Sequence, residues 1–146
     1  MASGKLPKAP APRFTTVEWR PSGNLSGLWI TPEPPSANEL KAWLYHTKAK
    51  YRYVAYKKML IARIRLARSP RLWVKLRLRH TWWLVRQRDE DGLGFSLKPV
   101  LDALVVTGVL LGDDPAHLEL VYGGQTAGGV GATTKRGLLL TFEAIG

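Results

Sequence analysis

The chain has 146 residues, 45% of them hydrophobic and 23% charged, and its 22 Lys and Arg outweigh 11 Asp and Glu to leave a formal charge of +11 at pH 7. This length suits one domain able to bury about two-thirds of its unfolded surface, and no apolar run approaches the roughly 18 residues that a membrane span needs, so a soluble protein is expected. With no cysteine in the chain, a disulfide framework, a thiolate zinc site and a cysteine nucleophile are excluded, and any metal falls to oxygen ligands or histidine.

Where the charge sits says more than its total. From Lys41 to Arg88 there are 15 Lys or Arg and no Asp or Glu, while all five aspartates lie between Asp89 and Asp114. A surface that merely keeps a protein soluble mixes its signs. A long cationic tract instead points to a polyanion, above all nucleic acid, bound with release of its counterions. The acidic block demands its own explanation. Carboxylates about 4 Å apart repel by roughly 4 kcal/mol at an effective dielectric near 20, so several together need protons, cationic neighbours or a metal ion.

Residues 1–13 hold three prolines and three basic residues and no apolar core of a signal peptide; they read as a flexible basic arm of a cytoplasmic protein. From residue 14 onward a single α+β domain is expected, a small mixed or antiparallel sheet packed with two main helices. Phe14 to Trp19 and Gly27 to Ile30 read as short strands broken by Pro21-Ser22-Gly23-Asn24. Pro32 to Asn38 reads as a rigid turn in which Ser36 or Asn38 caps a following helix. Tyr53, Tyr56, Leu60, Ile64 and Ala67 then recur at helical spacing, predicting an amphipathic helix from Lys48 to Ala67, stopped by Ser69-Pro70. Its Lys57, Lys58 and Arg63 are candidate DNA contacts.

Between Leu72 and Val85 the period changes to two, and the expected strand turns Lys75, Arg77 and Arg79 to a phosphate backbone, with Arg86 and Arg88 following. His80 is placed on the polar face, as a phosphate contact or solvent group, and Trp82 and Trp83 in the core. If the extended chain continues, Asp89 and Asp91 share one face and make two ligands for one ion. Gly92 and Gly94 then break the strand, and Phe95 to Val106 reads as helical, with Pro99 in the first turn placing the start near Leu97 or Lys98, Lys98 and Asp102 on one face, and Gly108 as the cap that leads to Asp113-Asp114. His117 to Tyr122 reads as a strand, Gly123 to Gly131 as a flexible loop joining antiparallel strands, and Leu138 to Ile145 as the last strand.

Asp89-Glu90-Asp91-Gly92 is not a calcium loop, because Leu93 and Val100 stand where an EF-hand needs oxygen ligands. The glycine-rich loop lacks the lysine of a P-loop. The order of the acidic block is more informative than any one part. Asp89-Glu90-Asp91-Gly92, Lys98-Pro99-Val100-Leu101-Asp102-Ala103-Leu104, Gly108 and Asp113-Asp114 together resemble the RusA family of Holliday-junction resolvases, whose pattern is Asp-x-Asp-Asn, Lys-x-x-x-Asp-x-Leu, Gly and Asp-Asp. Pro34-Pro35-Ser36-Ala37-Asn38 is similar to that family's Pro-Pro-Ser-x-Asn, and the likeness extends over roughly residues 27 to 144. The chain departs from it in Gly92, where the family has Asn, and in a longer step from Asp91 to Lys98.

The resemblance implies a phage- or prophage-borne homodimer that cuts four-way DNA junctions with Mg2+, or with Mn2+ in its place. Asp89, Asp91 and Asp114 would be metal ligands in the active site, Lys98 a catalytic cation, and Asp102 a further ligand or the partner that orients Lys98. The chemistry suits these residue types, since Mg2+ takes oxygen ligands and keeps waters for the substrate. The rival expectation is a non-catalytic nucleic-acid-binding protein whose aspartates cap a helix and offset neighbouring cations.

Overall fold

The computed structural model describes residues 15–128 and 136–145; the arm at 1–13 and part of the expected glycine-rich loop, 129–131, lie outside them. The chain forms one mixed sheet and a helical layer, an α+β domain as expected. In order the elements are β1 (Thr16–Ser22), β2 (Leu25–Thr31), α1 (Ala37–Tyr45), α2 (Lys50–Ala67), β3 (Leu76–Leu84), α3 (Glu90–Ser96), α4 (Lys98–Val106), β4 (Leu118–Ala127) and β5 (Gly137–Ala144). The sheet order is β1-β2-β5-β3-β4. β3 and β4 are parallel, and the other pairs are antiparallel. Parallel neighbours need a crossover, and α3 and α4 supply it. Among the described residues no helix is long and apolar enough to cross a membrane.

Local chemistry accounts for most boundaries. Gly23, at φ +63°, makes the tight β1–β2 turn that other residues adopt at a cost. The Ser36 side chain accepts the Glu39 N–H at 3.2 Å and starts α1, one of the two caps expected. α2 ends at Ala67 before Ser69-Pro70, and buries Tyr53, Leu60 and Ile64. At the end of α4 the N–H groups of Gly108 and Val109 donate to the carbonyls of Val105 and Leu104, each at 3.0 Å, with Gly108 at φ +78°. That is a Schellman closure, and it satisfies carbonyls that would otherwise be orphaned.

Four expectations need correction. The strand starting at Leu72 begins instead at Leu76, because Trp73 is diverted to a separate bridge with Leu110, where its N–H donates to Val109 at 2.8 Å. Leu72 and Val74 are left exposed. Second, His80 lies on the buried face, since it shares the parity of Leu76, Leu78 and Trp82, whereas Trp83, expected in the core, has the parity of Arg77 and Arg79 and is half-buried edge-on against Trp29 on the other face. Third, the helix does start at Lys98, where Pro99 in its first turn places it, but Phe95 belongs to a separate short helix, α3, that meets α4 at Leu97. Fourth, Gly123 and Gly124 belong to β4. A Cβ at Gly123 would lie 2.3 Å from the Thr81 hydroxyl, and the β3–β4 register shifts beside it, so the glycines serve a bulge. β4 and β5 do run in opposite directions, but β3 lies between them.

One face of the sheet carries Leu28, Ile30, Leu78, Trp82, Leu138, Leu140 and Phe142, and these form a single core with Leu60 and Ile64 of α2 and Val100, Ala103 and Leu104 of α4. His80 sits within this layer and its Nδ1 accepts the Trp82 indole N–H at 2.8 Å. Burial pushes its pKa down to about 4. The unfolded chain therefore binds a proton between about pH 6.5 and 4 that the folded chain refuses. Stability falls as pH drops through that window, by about 3 kcal/mol at most from this residue. His80→Gln should flatten the difference in melting temperature between pH 7 and pH 4 relative to wild type; an identical pH profile for the two would remove His80 as its source.

Candidate active site

The acidic block begins where β3 hands over to α3, and the hand-over is tightly held. The Arg88 N–H donates to the Gln125 side-chain oxygen at 2.9 Å, and the Gln125 amide donates to the Arg88 carbonyl at 2.6 Å. The Arg88 guanidinium turns inward, 3.7 Å from the Glu33 carboxylate and 3.4 Å from the Pro34 carbonyl. Glu33 has no side-chain exposure and also accepts two hydrogen bonds from Arg136, at 2.8 and 3.0 Å on Oε2. Those bonds raise the Arg136 pKa above its usual value. Arg88 is thus an anchor for the residue that follows it.

That residue, Asp89, caps α3: its Oδ1 accepts the Gly92 N–H at 2.5 Å. The extended Asp89–Asp91 segment expected from sequence is therefore corrected. Asp89 is the N-cap and Asp91 lies in the first turn, so the two are neighbours at one helix end. The cap and the burial of Leu93 override two glycines that read as strand breakers. The cap also accounts for Gly92 itself, because a Cβ there would stand 2.9 Å from the capping oxygen. The same Cβ position lies 3.7 Å from the Ala37 side chain. The Pro-Pro-Ser-Ala-Asn motif and the Asp-Glu-Asp-Gly motif, distant in sequence, abut in the fold.

Asp91 and Phe95 are four apart on α3 and share a face. Lys98, the first residue of α4, places its ammonium 5.6 Å from the centre of the Phe95 ring. The longer step from Asp91 to Lys98 is thus taken up by one short helix, whose Phe95, one turn after Asp91, is the ring that Lys98 stands over. Cation–π contact at an exposed site contributes about 0.5–1 kcal/mol, enough to bias the lysine's direction. Sequence reasoning missed Phe95 and Glu33. The spacing of Phe95 from Asp91 was readable only once a helix was known there, and the buried position of Glu33 had no sequence signal.

The other aspartates go elsewhere. Asp102 is 3.9 Å from Lys57 of α2. Burial, and after it the neighbouring Asp102 carboxylate, raises the Tyr53 pKa. Asp113 and Asp114 lie in the turn before β4, where Asp114 pairs with His117 and its carbonyl accepts the N–H groups of His117 and Leu118, both at 2.9 Å. Leu118 is in register with Leu76 at the start of β3, whereas the residue clamped to Arg88 is Gln125, seven positions further along β4. At about 3.3 Å per residue, Asp114 and Asp89 stand at opposite ends of the strand, roughly 20 Å apart. Among the described residues no three His, Asp or Glu come close enough to hold an ion.

The expected DNA contacts are divided between two sides of the sheet. Lys57, Lys58 and Arg63 lie on α2, in the helical layer. Arg77 and Arg79 project from the opposite face of β3, and Lys75 precedes that strand. Arg77 is held by Glu143 at 2.9 Å and Glu119 at 3.2 Å, which raise its pKa. Lys58, Lys75, Arg79 and Arg86 are exposed.

No protein-family model matches the chain, and no curated protein matches it.

Proposed function

We propose that the protein is a metal-dependent, structure-selective DNA endonuclease that cuts four-way junctions, a RusA-like resolvase acting as a homodimer. The observation that carries this reading is that Lys98 stands over Phe95, four residues from Asp91 on one face of the helix that Asp89 caps. Asp89 and Asp91 fit Mg2+, or Mn2+ in its place, as ligands: one Asp89 oxygen caps the helix, the Asp91 side chain is exposed, and Mg2+ is commonly held by one or two carboxylates with water and substrate phosphate completing its shell. When bound, the ion supplies Lewis-acid polarisation of the phosphate and a water acidic enough to attack near neutral pH. Lys98 offsets charge developing on the phosphate oxygens. Lys58, Lys75, Arg79 and Arg86 hold the backbone, Arg63 with them, while Lys57, Arg77 and Arg88 are partly or wholly neutralised by Asp102, Glu119, Glu143 and Glu33.

Asp114 can join such a site only from a second copy, given its place at the far end of β4. This yields a direct test. With a labelled four-way junction and Mg2+, wild type should cut and lose activity on chelation, and Asp91→Asn and Asp114→Asn should each be inactive. Mixed and allowed to exchange, the two variants should regain part of the activity, because one site of each heterodimer is then complete. Inactivity of wild type overturns the proposal. Full activity of Asp114→Asn removes the shared site and leaves Asp89 and Asp91 to suffice.

A second reading, a non-catalytic DNA-binding protein, is favoured by the Asp89 cap and the Asp102–Lys57 pair, since both give the acids structural employment. It is distinguished by junction binding without any metal-dependent cutting.

A further inference from the structure

Lys41 of α1 also stands over Phe95, its ammonium 5.3 Å from the ring centre that Lys98 approaches to 5.6 Å. Three helices therefore converge on one phenyl ring, and two of them bring a lysine. Both lysines are exposed, and among the described residues neither lies within ion-pair distance of a carboxylate, unlike Lys57 or Arg77. Two unneutralised cations around one ring repel each other, so the arrangement is most stable with an anion between or beside them. The ring restricts both side chains without neutralising either, which leaves their charge available to a phosphate.

The position is built by the contact of the two motifs. α1 starts at Ser36 against the start of α3, with Ala37 beside Gly92, and Lys41 follows Ala37 by one turn as Phe95 follows Asp91. Lys41 is thus brought to Phe95, one turn beyond Asp91 on α3.

We propose that Lys41 and Lys98 form a two-cation site for a nucleic-acid backbone, Lys98 at the scissile phosphate and Lys41 at a neighbouring phosphate of the same strand. The assignment of the scissile phosphate rests on the nuclease reading of Asp89 and Asp91; the pairing of the lysines for phosphate does not. Lys41 is a binding residue, so its loss raises KM and leaves kcat nearly unchanged, whereas loss of Lys98 lowers kcat.

The experiment uses the full chain and a fluorescent four-way junction, with binding followed by anisotropy in the absence of divalent metal across a series of KCl concentrations. Lys41→Gln should weaken binding several-fold and make the slope of log affinity against log salt shallower by about 0.9, the contribution of one phosphate contact. Lys41→Arg should keep both. Lys50→Gln, an exposed lysine of α2, serves as the control for a general loss of charge. A Lys41→Gln protein that binds like wild type, or no worse than Lys50→Gln, overturns the proposal. Wild type that binds but never cuts overturns the nuclease reading and leaves the lysine comparison decisive; wild type that does not bind overturns both.

Discussion

Asp91→Asn should slow Mg2+-dependent cleavage of a four-way junction by about a thousandfold while leaving metal-free junction binding at or above the wild-type level. The size follows from what a bound ion contributes: several kcal/mol of stabilisation of transition-state charge, at 1.36 kcal/mol for each factor of ten. Asp91 lies in the first turn of α3, where its carboxylate is exposed and makes no hydrogen bond or ion pair among the described residues. The substitution should therefore leave the melting temperature within about a degree or two, consistent with a surface change of about 0.5 kcal/mol. Removal of a negative charge from the surface proposed to face phosphate should tighten binding slightly. Cleavage by Asp91→Asn at the wild-type rate would place the ion elsewhere. An equal loss of binding and cleavage would make Asp91 a structural residue.

Glu33→Ala should destabilise the fold by about 3 kcal/mol, read as a fall in the midpoint of urea unfolding. Breaking a buried pair by removing one partner costs about 3–5 kcal/mol, and the lower end applies here because Arg136 and Arg88 keep 38% and 22% side-chain exposure and can rehydrate. The effect should reach the proposed active site. Glu33 holds Arg88, Arg88 is clamped to Gln125, and the next residue is the capping Asp89. A loosened Asp89 lowers kcat even at temperatures where the variant stays folded. Gln125→Ala removes only the clamp, so it should slow cleavage with a smaller loss of stability. A Glu33→Ala protein as stable as wild type would mean that the arginines find water at no cost, and that the cluster does not support the fold.

Much of the architecture was legible in the residues because it follows from short-range chemistry. Ser36 as a cap, Pro70 as a stop, Pro99 in a first turn and Gly108 beyond a helix end all act within one turn of their own positions. The parity of β3 was legible as well, and it places His80 with Leu78 and Trp82 once the count is kept. What failed was the reading of glycines. Gly92, Gly94, Gly123 and Gly124 read as breaks in the sequence, but α3 and β4 run through them. At Gly92 and Gly123 the capping oxygen of Asp89 and the hydroxyl of Thr81 come so close that a Cβ has no room, a demand that comes from the fold and not from the local sequence.

The sequence by itself determined the cationic tract, the concentration of aspartates, the order of the acidic motif and an α+β domain without thiol chemistry, because composition and local periodicity are properties of the chain before it folds. Only the tertiary structure decided which charges remain available. It neutralised Arg77 between two glutamates of neighbouring strands, buried Glu33 against Arg88 and Arg136, sent Asp102 to α2, and set Asp114 a strand's length away from Asp89. It also brought Lys41 and Lys98 to one ring. The physical reason is that the attraction between charges depends on separation and burial, and neither exists until the parallel crossover and the packing of α1, α3 and α4 have formed.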